Sequence, residues 1–397
     1  MFYPLTDVLR DDMSTTLDQA WGSDPGAALP VAIEVLRRGP ISRAEIGRRL
    51  GLSHASLSRL SAPLIERGVI HDVGEHSNGR VGRPSRLLDI DASSHHFLGV
   101  KIRENEIIAA VTDLRGDVVD SVTVPLAHRT PTAVVNQVKE LHSTFAAAHT
   151  LTAIGIGIGG AVHDRRKVIS AGFLGWDDVA LADLIEQETR TPALVENDVV
   201  ALCEYEDWFG FARYDDRFAV ITLGIGTGFG LVIHGRPIVG DDYGFGLVGH
   251  WPMDPTGPLC QQGHRGCAAA LLNSDAIARY ATEALGRETT FDETVELASE
   301  GHPAAVRIVH DAARGLGVLI AAVCNLTLPE RIIIAGEGVR LAMIGHETLL
   351  QQARELRDPR AQTPLIDYSS GDNIEWARGA AVLAIQAFAL GTLAPVQ

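Results

Sequence analysis

Two kinds of hydrophobic spacing divide the chain. Between residues 31 and 90 the apolar positions recur every three or four residues in short bursts: Ile46 and Leu50, then Leu57, Leu60, Leu64 and Ile65. That is the spacing of a helix with one buried face. Ser42, followed three residues later by Glu45, forms a capping box for the first burst, and Gly51 ends it. Ser53 caps the second burst and Gly68 stops it. Two short helices joined by a tight glycine turn make a helix-turn-helix unit. Alternating segments near 69–74 and 86–90 then predict two strands around a polar loop rich in glycine and arginine, which makes the unit a winged variant.

After Asp91 the period changes. "HHFLGVKI", "EIIAAVTD" and "VVDSVTVPL" alternate at period two and predict a strand meander. "PTAVVNQVKELHSTFAAAH" is helical, and "LTAIGIGIGGAV" is a buried strand running into a glycine turn. A second set begins at "DRFAVITLGIGTGFGLVIHGRPIVG", two strands hinged at Gly224, Gly226, Gly228 and Gly230, and a later strand, "ERIIIAGEGV", leads into a helix. The fold class is therefore α/β: two lobes with glycine turns facing a cleft between them.

Composition narrows the setting. The chain has 397 residues, of which 46% are hydrophobic and 21% charged, enough apolar material for two or three packed domains. No apolar run approaches the roughly 20 residues that cross a bilayer, and "MFYPLTDVLRDD" has acids where a signal peptide is basic. We therefore expect a cytoplasmic protein with no membrane partner. Cys203 and Cys324 fall in apolar helical patterns and read as core residues.

The formal charge of −16 is unevenly spread. Residues 31–90 hold ten arginines, no lysine and six acids, so a basic head of +4 sits on an acidic body. That is the arrangement expected when one small module touches phosphates and the rest must not. Ser53, His54, Ser56, Ser58 and Arg59 are candidates to enter a major groove from the second helix. Within "GRVGRP", Arg80 and Arg83 lie on a backbone that glycine lets approach closely and Pro84 stiffens, which suits a narrow A/T-rich minor groove. The alternative is a protein-interaction winged helix with a solvated basic loop.

"LCQQGHRGC" sets Cys260 and Cys267 seven positions apart with His264 between them. It reads either as a metal site or as a metal-free loop whose thiols pack.

The order of winged helix, meander, "GIGIGGAV", "VENDVVALCEYE", "TLGIGTGFG", "GLVGH", "CQQGHRGC", "RIIIAGEGV" and "ARGAAVLA" resembles the ROK family (repressors, open reading frames and sugar kinases) over about residues 31–390. The resemblance implies an actin-like, sugar-kinase body built from a pair of ribonuclease-H-like lobes. On it we expect an N-terminal extension at 1–30, a winged helix-turn-helix domain at 31–90 and a ROK domain at 91–397. Its first lobe would cover about 91–199 plus a C-terminal helix at 377–397, and its second about 200–376.

The resemblance also locates a ligand site. It implies that Asn197, Asp198, Gly159, Gly160 and His250 face a sugar, with Asp198 the general base in the family's kinases. Where those kinases carry an Asp and a Gly-Gly-Thr hairpin for phosphate, this chain has Lys101, Arg103, Glu104 and Asn105. Side chains would occupy the phosphate space, so no ATP is expected. Two glutamates usual in the family are Leu247 and Ala269, which makes a simple hexose doubtful and points to a modified or less polar effector or to an empty pocket. Family zinc is held by a histidine and three cysteines. Here the positions read His250, Cys260, Gln262 and Cys267, with His264 available as a substitute ligand. The expected protein is a non-catalytic regulator, most simply a repressor. It would bind a palindromic operator as a homodimer or tetramer and respond to a sugar or sugar derivative. The contrasting readings are an active ATP-dependent carbohydrate kinase with a DNA-binding head and a ligand-independent regulator with a dead pocket.

Overall fold

Ser42 and Ser53 start helices for the reason their sequence context gives: the side-chain oxygens accept the backbone N–H groups of Glu45 and Ser56, at 3.2 and 3.1 Å. The computed structural model describes residues 26–76 and 85–393. Its head contains α1 (Leu29–Arg38), β1 (Ile41–Ser42), α2 (Arg43–Leu50), α3 (His54–Glu66), β2 (His71–His76) and β3 (Ser85–Asp89). Gly51, at φ +64°, turns the chain between α2 and α3 in the left-handed region that glycine enters without strain. The strands pair in the order β1-β3-β2, so the segment before α2 closes the wing sheet. Two details depart from the sequence reading. Glu45 turns its carboxylate to Arg48 and Arg49 rather than completing a reciprocal cap. Ile65 is exposed, because α3 turns Leu57, Ser61 and Leu64 to the core. The head's first helix starts at Leu29, two residues ahead of the expected boundary.

The first lobe contains β4 (His96–Ile102), β5 (Glu106–Thr112), β6 (Val118–Pro125), α4 (Pro131–Ala146) and β7 (Leu151–Ile158). It continues through β8 (Ala161–His163), β9 (Lys167–Ala171), β10 (Trp176–Val179), α5 (Leu181–Thr189) and β11 (Ala193–Asn197). β8, β9 and β10 form a small antiparallel sheet that the hydrophobic pattern did not announce. The main sheet runs β6-β5-β4-β7-β11, antiparallel through the meander and parallel from β4 to β11.

Helix α6 (Asp198–Trp208) follows, and the second lobe repeats the plan. It has β12 (Arg217–Leu223), β13 (Thr227–Ile233), β14 (Arg236–Pro237), α7 (Ala268–Leu272), α8 (Ser274–Leu285), α9 (Phe291–Ser299) and α10 (Pro303–Thr327). Then come β15 (Arg331–Ala335), α11 (Val339–Ile344), α12 (His346–Glu355), β16 (Leu365–Tyr368) and α13 (Ile374–Ala389). Its sheet order, β14-β13-β12-β15-β16, has the same sequence of antiparallel and parallel pairings as the first. The chain thus contains two copies of one topology although no long duplication shows in its sequence.

Helix α13 begins at Ile374, ahead of the expected boundary, and lies against β4, β5, β7 and α6. Its approach to the first sheet is close enough that a Cβ at Gly99 or Gly155 would collide with the carbonyls of Ala377 and Ala380. Glycine on the strands and alanine on the helix are therefore paired requirements. Ala381, Val382, Ile385 and Phe388 of α13 share one apolar core with Val31, Val35, Leu36 and Leu88 of the head. The head is packed onto the body, not tethered beside it. Among the described residues no helix is long and apolar enough to cross a membrane.

Candidate functional site

The glycine turns of both lobes meet at a cavity of about 640 Å³. β4 delivers Lys101, the β4–β5 turn delivers Arg103 and Glu104, and the end of β7 delivers Gly159 and Gly160. Asn197 and Asp198 stand where β11 passes into α6, and the β12–β13 hairpin closes the far side through Gly224 and Gly226.

Lys101 is 6% exposed, and its Nζ forms an ion pair with Asp198 Oδ2 while lying 5.3 Å from the centre of the Trp376 ring. The other Asp198 oxygen accepts the Val199 N–H at 2.9 Å. Both oxygens of the carboxylate are thus engaged. Asn197 caps α6, its Oδ1 accepting from Val199 and Val200 and its Nδ2 donating to the Gly160 carbonyl at 2.9 Å. Gly160 has φ +148°, and a side chain there would strike the Ser170 carbonyl. Arg103 donates to Glu106 on its own lobe at 3.0 Å and pairs with Glu337 of the second lobe, so one guanidinium spans the cleft. Glu104 pairs with Arg129 at 2.9 Å. Tyr243 donates its hydroxyl to the Phe229 carbonyl at 2.9 Å, and burial pushes its pKa far above the usual phenol value.

The structure brings Gly159, Gly160, Asn197 and Asp198 to this cavity and sets His250 apart from it. Leu247 and Val248 line the wall, but the 3-10 turn Leu247–His250 carries the histidine towards the cysteine loop. His250 Nδ1 lies 3.9 Å from both Cys260 Sγ and Cys267 Sγ, and the three ligand atoms are all within 4.8 Å of one another. A tetrahedral zinc with sulfur at about 2.3 Å and nitrogen at about 2.0–2.1 Å needs its ligands about 3.5–3.8 Å apart, so these residues fit such an ion with a contraction of up to about 1 Å. His264 adjoins the group, its Nδ1 3.7 Å from Cys260 Sγ and its ring 4.6 Å from that of His250. Gly263, at φ +84°, makes the bend that brings it there. Cys203 and Cys324 are buried free thiols, as their patterns predict.

On the head, Ser53, His54, Ser58 and Arg59 are exposed, and Ser56 is half-buried with its hydroxyl 3.0 Å from that of Ser53. Arg43, Arg48 and Arg49 are paired with acids, whereas Arg59 has no ion-pair partner among the described residues. Arg80 and Arg83 lie outside the described residues.

Sequence reasoning missed the acids of α6. Glu204, Glu206 and Asp207 are all buried. Glu204 meets Arg165 at 2.9 Å and Gln386 at 2.7 Å, Asp207 meets Arg37 of α1 at 3.1 Å, and burial pushes Glu206 up to about 7. Three acids within "CEYEDW", in a segment with no polar stripe, were the available signal.

A winged helix-turn-helix on two like-folded α/β lobes with a cleft between them defines the class: a DNA-binding type of head joined to a sugar-kinase type of body. The ROK family model matches residues 97–387, and the chain belongs to that family. The DNA-binding transcriptional dual regulator NagC of Escherichia coli is 26% identical over 75% of this chain and 77% of its own. The xylose repressor of Bacillus subtilis is 22% identical over 76% of this chain and 79% of its own. Among solved structures, a ROK family transcriptional regulator described as a homolog of the Escherichia coli MLC protein matches with a TM-score of 0.78. It is 26% identical and covers 93% of this chain and 97% of that one, a span that takes in the head. A ROK family glucokinase from Streptomyces griseus, solved with glucose and AMPPNP, matches with a TM-score of 0.65 at 26% identity, over 73% of this chain and 99% of that one. The family thus includes both regulators and kinases.

Proposed function

We propose that this protein is a DNA-binding transcriptional regulator of ROK type, acting as a repressor, whose body senses a small molecule of the sugar class without phosphorylating it. The observation that carries the non-catalytic part is the ion pair between Lys101 and Asp198. A general base must be free to accept a hydroxyl proton, and phosphoryl transfer needs donors cradling the phosphates. Here the carboxylate is held by a buried ammonium, and Arg103, where the family's kinases carry phosphate-binding glycines, is paired with Glu337 across the cleft.

Ser53, His54, Ser56, Ser58 and Arg59 form the groove-facing surface of the proposed DNA contact, with Arg80 and Arg83 added from the wing. Gly159, Gly160, Asn197 and Asp198 form the floor of the effector site. His250, Cys260 and Cys267, joined by His264, would hold one zinc ion in a structural role, the metal tying the cysteine loop to the turn that ends in the cavity wall. A two-fold homodimer, alone or paired into a tetramer, would match a palindromic operator. α6 supplies the connection between the sites, since its first residue is Asp198 in the cleft and its tenth and eleventh, Asp207 and Trp208, hold Arg37 of the head.

The test combines two assays on the full chain. Anisotropy titrations of DNA from the region upstream of its own gene should give saturable binding that a sugar ligand alters. A coupled assay with ATP and a sugar panel should show no ADP release above that of Asp198→Asn. Sugar-dependent ADP release would overturn the non-catalytic part, and absence of specific DNA binding would overturn the regulator.

A further inference from the structure

We infer that the effector is an uncharged glycoside carrying an aromatic aglycone, bound with its ring system against the second lobe; this rests on the sensing function proposed above. Three large apolar side chains that line the cavity are mostly exposed: Ile225 at 60%, Phe245 at 53% and Leu247 at 65%. Phe173 faces the same space from the first lobe and Trp376 from α13. Large exposed apolar groups gathered in one concave site mark a surface that a ligand dehydrates. A free monosaccharide, hydroxylated all round, would leave them wet or bury its own hydroxyls against them.

The polar side chains argue the same way, because most are already paired within the protein. Both oxygens of Asp198 and both ends of the Asn197 amide are engaged. Thr222 accepts the Gly228 N–H at 3.1 Å, Thr227 donates to Asn273 at 3.0 Å, and Tyr243 donates to Phe229. Ser170, Asp242 and the Trp376 indole N–H are the polar lining side-chain groups with no hydrogen-bond partner among the described residues. Three such groups, with the turn backbones, can hold a few of a ligand's hydroxyls but not a full set.

Charge completes the selection. The lining carries Lys101 and Arg103 against Glu104, Asp198, Asp242 and Glu337. Both lining cations are already neutralised by acids, so a phosphate or carboxylate would enter a net negative site whose lining, among the described residues, offers no unpaired cation. At about 640 Å³ the cavity falls in the range that encloses a drug-sized ligand, larger than one sugar ring needs.

The experiment titrates the full-length protein calorimetrically with 4-nitrophenyl glycosides of the common hexoses and pentoses, in both anomers, alongside the matching methyl glycosides, free sugars and sugar phosphates. The expected result is that the tightest ligand is an aryl glycoside, bound at least about tenfold more strongly than its methyl partner. Phe245→Ala should erase most of that ratio while leaving the melting temperature of the ligand-free protein unchanged, since the side chain is largely exposed. Equal affinity for aryl and methyl glycosides, a sugar phosphate as the tightest ligand, or no binding by any compound would each overturn the inference. Anisotropy with promoter DNA separates this failure from a wider one. A free sugar or sugar phosphate that alters DNA affinity leaves the sensing function standing, whereas DNA binding that no member of the panel changes removes the sensing function as well.

Discussion

Arg37 and Asp207 tie the winged helix-turn-helix head to the helix that starts in the cleft between the lobes. The guanidinium meets the Asp207 carboxylate at 3.1 Å and stacks over the Trp208 ring at 5.5 Å, both at the C-terminal end of α6. Eleven helical residues span about 16 Å, so Asp198 and Asp207 report on the two ends of one rigid rod. Asp207 is raised above the usual carboxylate range by burial, against the opposing pull of Arg37.

Asp207→Asn keeps the shape of that contact and removes the charge. We expect a change in melting temperature of only a few degrees, because the lost ion pair is offset by relief of a buried charge. DNA affinity without ligand should stay within about threefold, while the ligand-induced change in affinity falls by more than half. Anisotropy titrations with and without effector measure it. An undiminished ligand response would show that α6 does not carry the coupling.

The cysteine loop gives a second prediction. Elemental analysis of protein purified without chelator should find about one zinc per chain, as expected for a single structural site. Cys260→Ser and Cys267→Ser should each abolish it, since each removes one of two thiolates. His264→Ala should release the metal if that histidine is the fourth ligand, and Gln262→Ala should leave it in place. Loss of zinc should weaken ligand binding before DNA binding, because the turn from Leu247 to His250 joins the loop to the cavity wall.

Glu206 predicts a pH dependence. Its Oε2 accepts the Phe211 N–H at 2.8 Å, yet burial dominates and raises its pKa to about 7. A carboxyl raised on folding stabilises fully below its unfolded pKa near 4.5, and that stability is lost as pH rises through the folded value. The loss amounts to about 3 kcal/mol between pH 4.5 and 8. Glu196 and Glu204, also raised mainly by burial, act in the same direction. Urea unfolding at pH 5 and pH 8 should show wild-type protein less stable at the higher pH and Glu206→Gln more stable than wild type there. An equal pH slope in the two proteins would contradict the assignment.

What could be read from the sequence follows from the range of the interactions involved. Ser42, Ser53 and Gly51 act within a few residues, and the structure places caps and turn where those residues stand. The apolar segments likewise located β4, β5 and β6, and the glycine-hinged run located β12 and β13, although β4, β5 and β12 prove buried on both faces and β6 mostly exposed. Ile65 misled because a three- and four-residue period does not say which side of a marginal stripe faces the core. The small sheet of β8, β9 and β10 was hidden because three to five residues carry too little period to register. Lys101 was visible as a replacement, but its partner was not. Asp198 is 97 positions away, and only the parallel pairing of β4, β7 and β11 sets the two side chains together. The link from Arg37 to Asp207 spans 170 positions and is equally non-local.

Sequence-specific DNA binding through α3 can be read by sequencing the sheared genomic DNA of the source organism that the full-length protein retains at about 0.15 M salt. Arg59 is exposed on that helix and has no ion-pair partner among the described residues, so Arg59→Ala should cost about 1–3 kcal/mol at specific sites while sparing weak general affinity. A small set of strongly enriched fragments sharing a palindromic motif is expected, and these should be lost with Arg59→Ala protein. Uniform retention without enriched sites, or the same enriched fragments with Arg59→Ala, would contradict sequence-specific binding through α3.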